Sequence, residues 1–102
     1  GLDVQIKANT ANMCTNYSAC TGGTPIPITY QKNALASSTS YFSGTALSTT
    51  NTEAELNVQK QTSATVPSKQ TWWGIQIPAG TVAGVYNGLN TLTYTMGEIA
   101  NW

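Results

Sequence analysis

The run from Thr71 to Thr95, TWWGIQIPAGTVAGVYNGLNTLTYT, leaves the chain little room for anything but β-structure. Trp73, Ile75 and Ile77 alternate with Trp72, Gly74 and Gln76, a period of two that gives a strand one apolar side. Pro78-Ala79-Gly80 ends it, because proline has no N–H for a ladder and glycine reaches positive φ without steric cost. Beyond Gly84 the alternation resumes. Tyr86, Leu92 and Tyr94 fall on one parity and Thr91, Thr93 and Thr95 on the other, β-branched residues suited to the wet side of a half-buried sheet. The segment holds two of the three tryptophans and two of the five tyrosines, so it is expected to be the packing centre. Asn87-Gly88 also suits a two-residue hairpin turn. A continuous strand with a glycine bulge is preferred, because too few residues separate Gly84 from Asn87 to make a strand.

The rest of the chain repeats the pattern in short pieces. Val4, Ile6 and Ala8 alternate with Gln5 and Lys7, which predicts a strand over Asp3–Ala8. Cys14 to Pro27 reads as loop, with Gly22-Gly23 and Pro25 as breakers, and contains the sequon Asn16-Tyr17-Ser18. Ile26, Ile28 and Tyr30 suggest another strand. Tyr41 and Phe42 look like anchors, Thr45–Thr52 offers only Leu47 for burial, and Leu56 and Val58 mark a strand before Pro67. About seven short strands with turns between them, and no segment of helical period, predict a single all-β domain over residues 1–102, a small antiparallel sandwich or barrel-like sheet.

Charge narrows the function. Four basic and four acidic side chains and no histidine give a net charge of zero, which argues against nucleic acid and anionic membrane as partners, since both attract a basic patch. No apolar run is long enough to span a bilayer. Without histidine, the usual nucleophile systems of Ser-His or Cys-His type are missing. The carboxylates are Asp3, Glu53, Glu55 and Glu98. Glu53 and Glu55 share one side of a strand but sit in a polar stretch without aromatic neighbours, so a solvated surface is expected rather than a glycosidase pair. Four acids make no strong calcium cage unless backbone carbonyls supply most ligands, and two cysteines without histidine make no zinc site. The expectation is a non-catalytic protein with no metal and no cofactor. Cys14 and Cys20 predict one disulfide closing a short loop, and with it an oxidising, extracellular setting. The chain begins at Gly1 rather than methionine, as a mature terminus left by signal-peptide removal or a trimmed chain would.

Exposed aromatics are the remaining candidates. Trp72 and Trp73 must point to opposite sides of their strand, so one is expected in the core and the other outside or under a neighbour. Together with Tyr86, Tyr94 and the terminal Trp102, they are the candidate residues for contact with a glycan or a protein partner.

The elements WWGIQIPAGT and AGVYNGLNTLTYT cover about a quarter of the chain. With the small size and Ser/Thr-rich surface, they resemble the C-terminal β-domain of secreted bacterial proteins, and in particular the globular companion of a split type IV pilin, also described as a short pilin chaperone. In that arrangement a truncated, helix-only pilin pairs with a separately exported β-domain. The resemblance implies a structural subunit of an extracellular filament, whose apolar sheet face is covered by a helix from the short pilin and whose polar surfaces meet solvent or neighbouring filament subunits. Two other readings stay open: a fibre subunit that donates its N-terminal strand, Asp3–Ala8, to the next copy, and a secreted carbohydrate-binding module that uses Trp72 or Trp73.

Overall fold

The computed structural model describes residues 1–98. The chain is all-β, with strands β1 (Leu2–Ala8), β2 (Asn12–Met13), β3 (Ile26–Pro27), β4 (Gln31–Ala34), β5 (Thr45–Ala46), β6 (Thr52–Val58), β7 (Trp72–Ile75) and β8 (Asn90–Met96). Among the described residues, helical structure is confined to two single 3-10 turns, Ile28–Tyr30 and Tyr41–Ser43. The strands sort into three small sheets, in the orders β6-β1-β8, β2-β3 and β5-β4-β7, and every pairing is antiparallel. No sheet closes into a barrel.

The core lies on β1 and not on the tryptophan strand. Alternation turns Val4, Ile6 and Ala8 to one side, where Ile28 and Leu47 cover them and Ala54 and Leu56 pack at the margin. Backbone bonds hold that cover in place. The Ile28 N–H donates to Ala11 O at 3.1 Å, the Leu47 N–H to Gln31 O at 2.9 Å and the Ala8 N–H to Ser48 O at 2.8 Å. In contrast, every residue of β7 is exposed, so Thr71–Thr95 is not the packing centre its composition suggests. The alternation is real, but neither side of β7 receives a covering layer.

Three local expectations also change. Ile26, Ile28 and Tyr30 do not form one strand, because the chain makes a 3-10 turn after Pro27 that buries Ile28. The turn leaves the Tyr30 carbonyl to accept the Tyr41 hydroxyl at 2.7 Å. Tyr41 is thus an anchor, whereas its neighbour Phe42 is exposed. Residues 85–89 form neither a continuous strand with β8 nor a hairpin. Asn87 instead bridges Cys14 through two backbone hydrogen bonds of 2.9 and 3.1 Å, and Leu89 O accepts the Asn9 N–H at 2.9 Å. The turn after β7 is as expected: the Thr81 N–H reaches Pro78 O at 3.3 Å, with Gly80 at φ 82°, a conformation glycine adopts without strain.

The β1–β8 register runs unbroken from Leu2 opposite Met96 to Ala8 opposite Asn90. The β1–β6 register does not. Ile6, Gln5 and Val4 oppose Thr52, Glu53 and Ala54, but Leu2 opposes Val58. Glu55, Leu56 and Asn57 therefore stand against Asp3 alone, a bulge that bends β6. Asn57 takes φ 52° at the bulge, and its N–H donates to Asp3 Oδ1 at 2.8 Å. The Asp3 side chain supplies the acceptor that the interrupted ladder lacks.

Candidate functional site: an open sheet face and a carboxylate cluster

The two sides of the β6-β1-β8 sheet have different chemistry. Register places Leu2, Val4 and Ile6 on the same side as Met96, Tyr94 and Leu92. Ile28 and Leu47 cover this side over β1, but it is open over β8, where Tyr94 is 82 % exposed and Met96 65 %. A groove of about 370 Å³ runs there, with Val4, Leu56, Val58, Leu92 and Tyr94 from the sheet on one side and Ser68, Lys69 and Thr71 from the segment before β7 on the other. A second hollow of about 390 Å³ continues it past Val58 to Leu2 and Met96. Of the threonines on the other parity, Thr91 and Thr95 are half-buried and Thr93 is exposed, whereas Leu92, Tyr94 and Met96 are all exposed. Burial of a strand's apolar side normally drives its folding; here much of that surface has no cover within the described residues.

The predicted contact aromatics do not form one platform. Trp72 and Trp73 sit on β7, in a different sheet from Tyr94. Both are open, at 45 % and 40 % exposure, so neither is the core residue expected of one of them. Trp73 Nε1 donates to Thr71 Oγ1 at 3.0 Å. Trp72 lines a largely polar hollow with Leu35, Leu56, Glu55, Asn57 and Lys69, and Leu56 is shared with the groove that holds Tyr94. Tyr86 is a strut: its hydroxyl donates to Val82 O at 2.6 Å and lies 3.1 Å from Thr24 Oγ1, which in turn accepts the Val82 N–H at 2.8 Å. Trp102 lies outside the described residues. The open apolar trough therefore holds Tyr94 with Leu2, Leu92 and Met96, and Trp72 meets it only at Leu56. Only the common parity of Leu92 and Tyr94 was visible in the sequence, and their lack of cover was not.

On the opposite side of the sheet, the four acidic side chains of the chain converge. Asp3, Glu53, Glu55 and Glu98 each offer a carboxylate oxygen, and these oxygens all lie within 4.8 Å of one another. Glu53 and Glu55 are exposed, as expected for a solvated pair, but they are not isolated from Asp3 and Glu98. Asp3 is only 1 % exposed. Its Oδ1 is held by the Asn57 N–H, whereas its buried Oδ2 has no hydrogen-bond partner. Crowding raises the pKa of both glutamates. For Glu53 the causes are desolvation first, then the charges of Glu98 and Asp3 and a hydrogen bond with the Asp3 carboxyl that needs a proton on the pair. For Glu55 they are desolvation, then the charges of Glu98, Asp3 and Glu53 and a like hydrogen bond with Glu98. Every charge acting on them is another carboxylate.

The Cys14–Cys20 disulfide is formed, with the Cα atoms 5.3 Å apart. Inside its loop, Asn16 of the sequon donates through Nδ2 to Thr21 O and Oγ1 at 3.0 and 2.8 Å, which ties the loop to its own base. Comparison of the chain with protein-family models, with curated proteins and with solved structures finds no match.

Proposed function

We propose that this chain is a structural, non-catalytic subunit of a bacterial extracellular filament, a pilin-like β domain that docks on a separate short helical pilin. The observation that carries this reading is the open apolar trough on the β6-β1-β8 sheet, from Leu2 and Met96 past Val58 to Leu92 and Tyr94. A sheet with one apolar side needs a second layer. An amphipathic helix with apolar residues at i, i+3, i+4 and i+7 supplies one in a groove of this kind. The disulfide suits an exported protein, and the resemblance of WWGIQIPAGT and AGVYNGLNTLTYT to the split-pilin companion points to the same partner.

Isolation of the chain under mild conditions from its native cell surface tests this reading. The expected result is a short helical pilin in stoichiometric amount, lost when Leu92→Asp is introduced. A lone chain, or a filament of this chain only, overturns it.

A second reading, glycan binding, draws on the exposure of Trp72 and Trp73 beside Tyr41, around a hollow of about 200 Å³. Saturable quenching of tryptophan fluorescence by a polysaccharide, abolished by Trp73→Ala, would favour it. Strand donation draws less support, because β1 is already hydrogen-bonded on both edges within its own chain.

A further inference from the structure

We infer that Asp3, Glu53, Glu55 and Glu98 form a binding site for one calcium ion. This departs from the sequence expectation of no metal. The inference is independent of the filament reading, since it uses the other side of the sheet.

The first observation is the convergence itself. The carboxylates are 3, 53, 55 and 98 in sequence and come from β1, β6 and the residues after β8, yet one oxygen from each falls within 4.8 Å of the rest. Calcium binds oxygen at about 2.3–2.6 Å, so two ligands on opposite sides of one ion stand about 4.8 Å apart. Oxygens gathered within that span enter one coordination shell with at most small side-chain shifts. Magnesium, with bonds of about 2.1 Å and a near-octahedral demand, requires a tighter and more regular set of ligands. An all-oxygen set suits a hard cation.

The second observation is Asp3 Oδ2. It is buried, it has no hydrogen-bond partner, and it belongs to the group whose oxygens meet in the cluster. A buried carboxylate oxygen left without donor or cation is costly. The backbone is arranged around that oxygen. The bulge in β6 spends the Asn57 N–H on Oδ1, so Oδ2 is the oxygen without a donor. Glycine at position 97 lets the chain pass close by: a Cβ there would lie 3.1 Å from Asp3 Oδ2 and 3.3 Å from Gly1 O. Gly1 O also accepts the Gly97 N–H at 3.0 Å, so a backbone carbonyl stands beside the carboxylates. Four carboxylates leave two to four further positions of the usual six to eight for backbone oxygen and water.

A proton shared between Glu53 and Asp3, or between Glu55 and Glu98, relieves part of the crowding at acid pH, and a cation relieves it at neutral pH. The like charges repel and are partly desolvated, as the raised pKa values of Glu53 and Glu55 reflect. A divalent ion turns that repulsion into a staple between the first strand, the bulged strand and the end of the last strand.

Calcium titration of the full chain, stripped of metal on a chelating resin, tests the inference by calorimetry and thermal unfolding. The expected result is saturable binding of one calcium per chain, with magnesium at least tenfold weaker. With calcium about 100-fold above Kd, the melting temperature should rise by on the order of 10 °C. Asp3 also caps the bulge, so the decisive variants are at the exposed positions. Glu53→Gln and Glu55→Gln should each weaken calcium at least tenfold while unfolding, without metal, at the same temperature as the parent or higher. Either no heat and no shift in melting temperature up to about 5 mM calcium, beyond the weak end of known protein sites, or unchanged binding in the double variant, overturns it.

Discussion

Asp3 carries two tasks that its substitutions separate. Oδ1 accepts the Asn57 N–H at 2.8 Å, and the group as a whole joins three other carboxylates. Asp3→Ala leaves the bulge N–H without its acceptor and should lower stability by about 1–3 kcal/mol in urea unfolding, the cost of an unpaired half-buried donor. Asp3→Asn keeps an acceptor at Oδ1 and removes one like charge, so without metal it should fall well short of that loss. The glutamates give a pH signature of defined sign. Glu53 and Glu55 have higher pKa values in the folded chain than in the unfolded one, so folding takes up protons. Their contribution is fully present below the ordinary glutamate range and is lost as pH rises through that range to the raised folded values. Metal-free chain should therefore have a higher melting temperature at the acid end of this window than at neutral pH. The slope should flatten in the Glu53→Gln, Glu55→Gln double variant, and a scan of melting temperature against pH in the presence of chelator checks both. The sequence showed only Glu53 and Glu55 side by side. Asp3 and Glu98 are far from them along the chain, and only the β6-β1-β8 order and the bulge opposite Asp3 bring all four together.

Strands were legible where alternation was strict, and their surroundings were not. Val4, Ile6 and Ala8 announce β1, and Leu92, Tyr94 and the threonines between them announce β8. Yet alternation reports only which residues share a side, never whether another layer covers it. That is why Trp73 and Ile75 read as core and are exposed, and why the apolar parity of β8 reads as buried and is open. The stretch before β8 failed for a different reason: the partner of Asn87 is Cys14, far away in sequence, and no local pattern encodes that pairing. The disulfide was legible from spacing, and its effect belongs to this scale. Closing a loop with six residues of separation restricts the unfolded chain by about 2 kcal/mol. Cys14 is also the residue that bonds Asn87 on both backbone groups. Replacing both cysteines with serine should lower stability by roughly that 2 kcal/mol and should speed amide exchange at Asn87 before exchange on β1 changes. Hydrogen exchange followed residue by residue reads both effects.

As a whole, the molecule is more open than its length requires. Its radius of gyration is 16.2 Å, against about 13 Å for a compact domain of 100 residues. Its accessible surface is 6596 Å², whereas a compact monomer of 10.8 kDa exposes about 5,500 Å². The excess, on the order of 1,000 Å², is close to the roughly 800 Å² that each partner buries in a standard protein interface. Leu2, Leu92, Tyr94 and Met96 add exposed apolar surface along one trough, and the net charge is zero, so little electrostatic repulsion keeps copies apart. Without its partner, the chain should therefore associate with itself through that trough. Sedimentation velocity should show a weight-average mass that climbs with protein concentration, and the Leu92→Asp, Met96→Asp double variant should remain monomeric with an unchanged far-UV spectrum. A designed helix with leucines at i, i+3, i+4 and i+7 should compete with self-association in the parent chain and leave the variant unaffected. A parent chain that stays monomeric at high concentration and ignores the helix would mean that the trough is adequately solvated as it stands, and the case for a helical partner would fall with it.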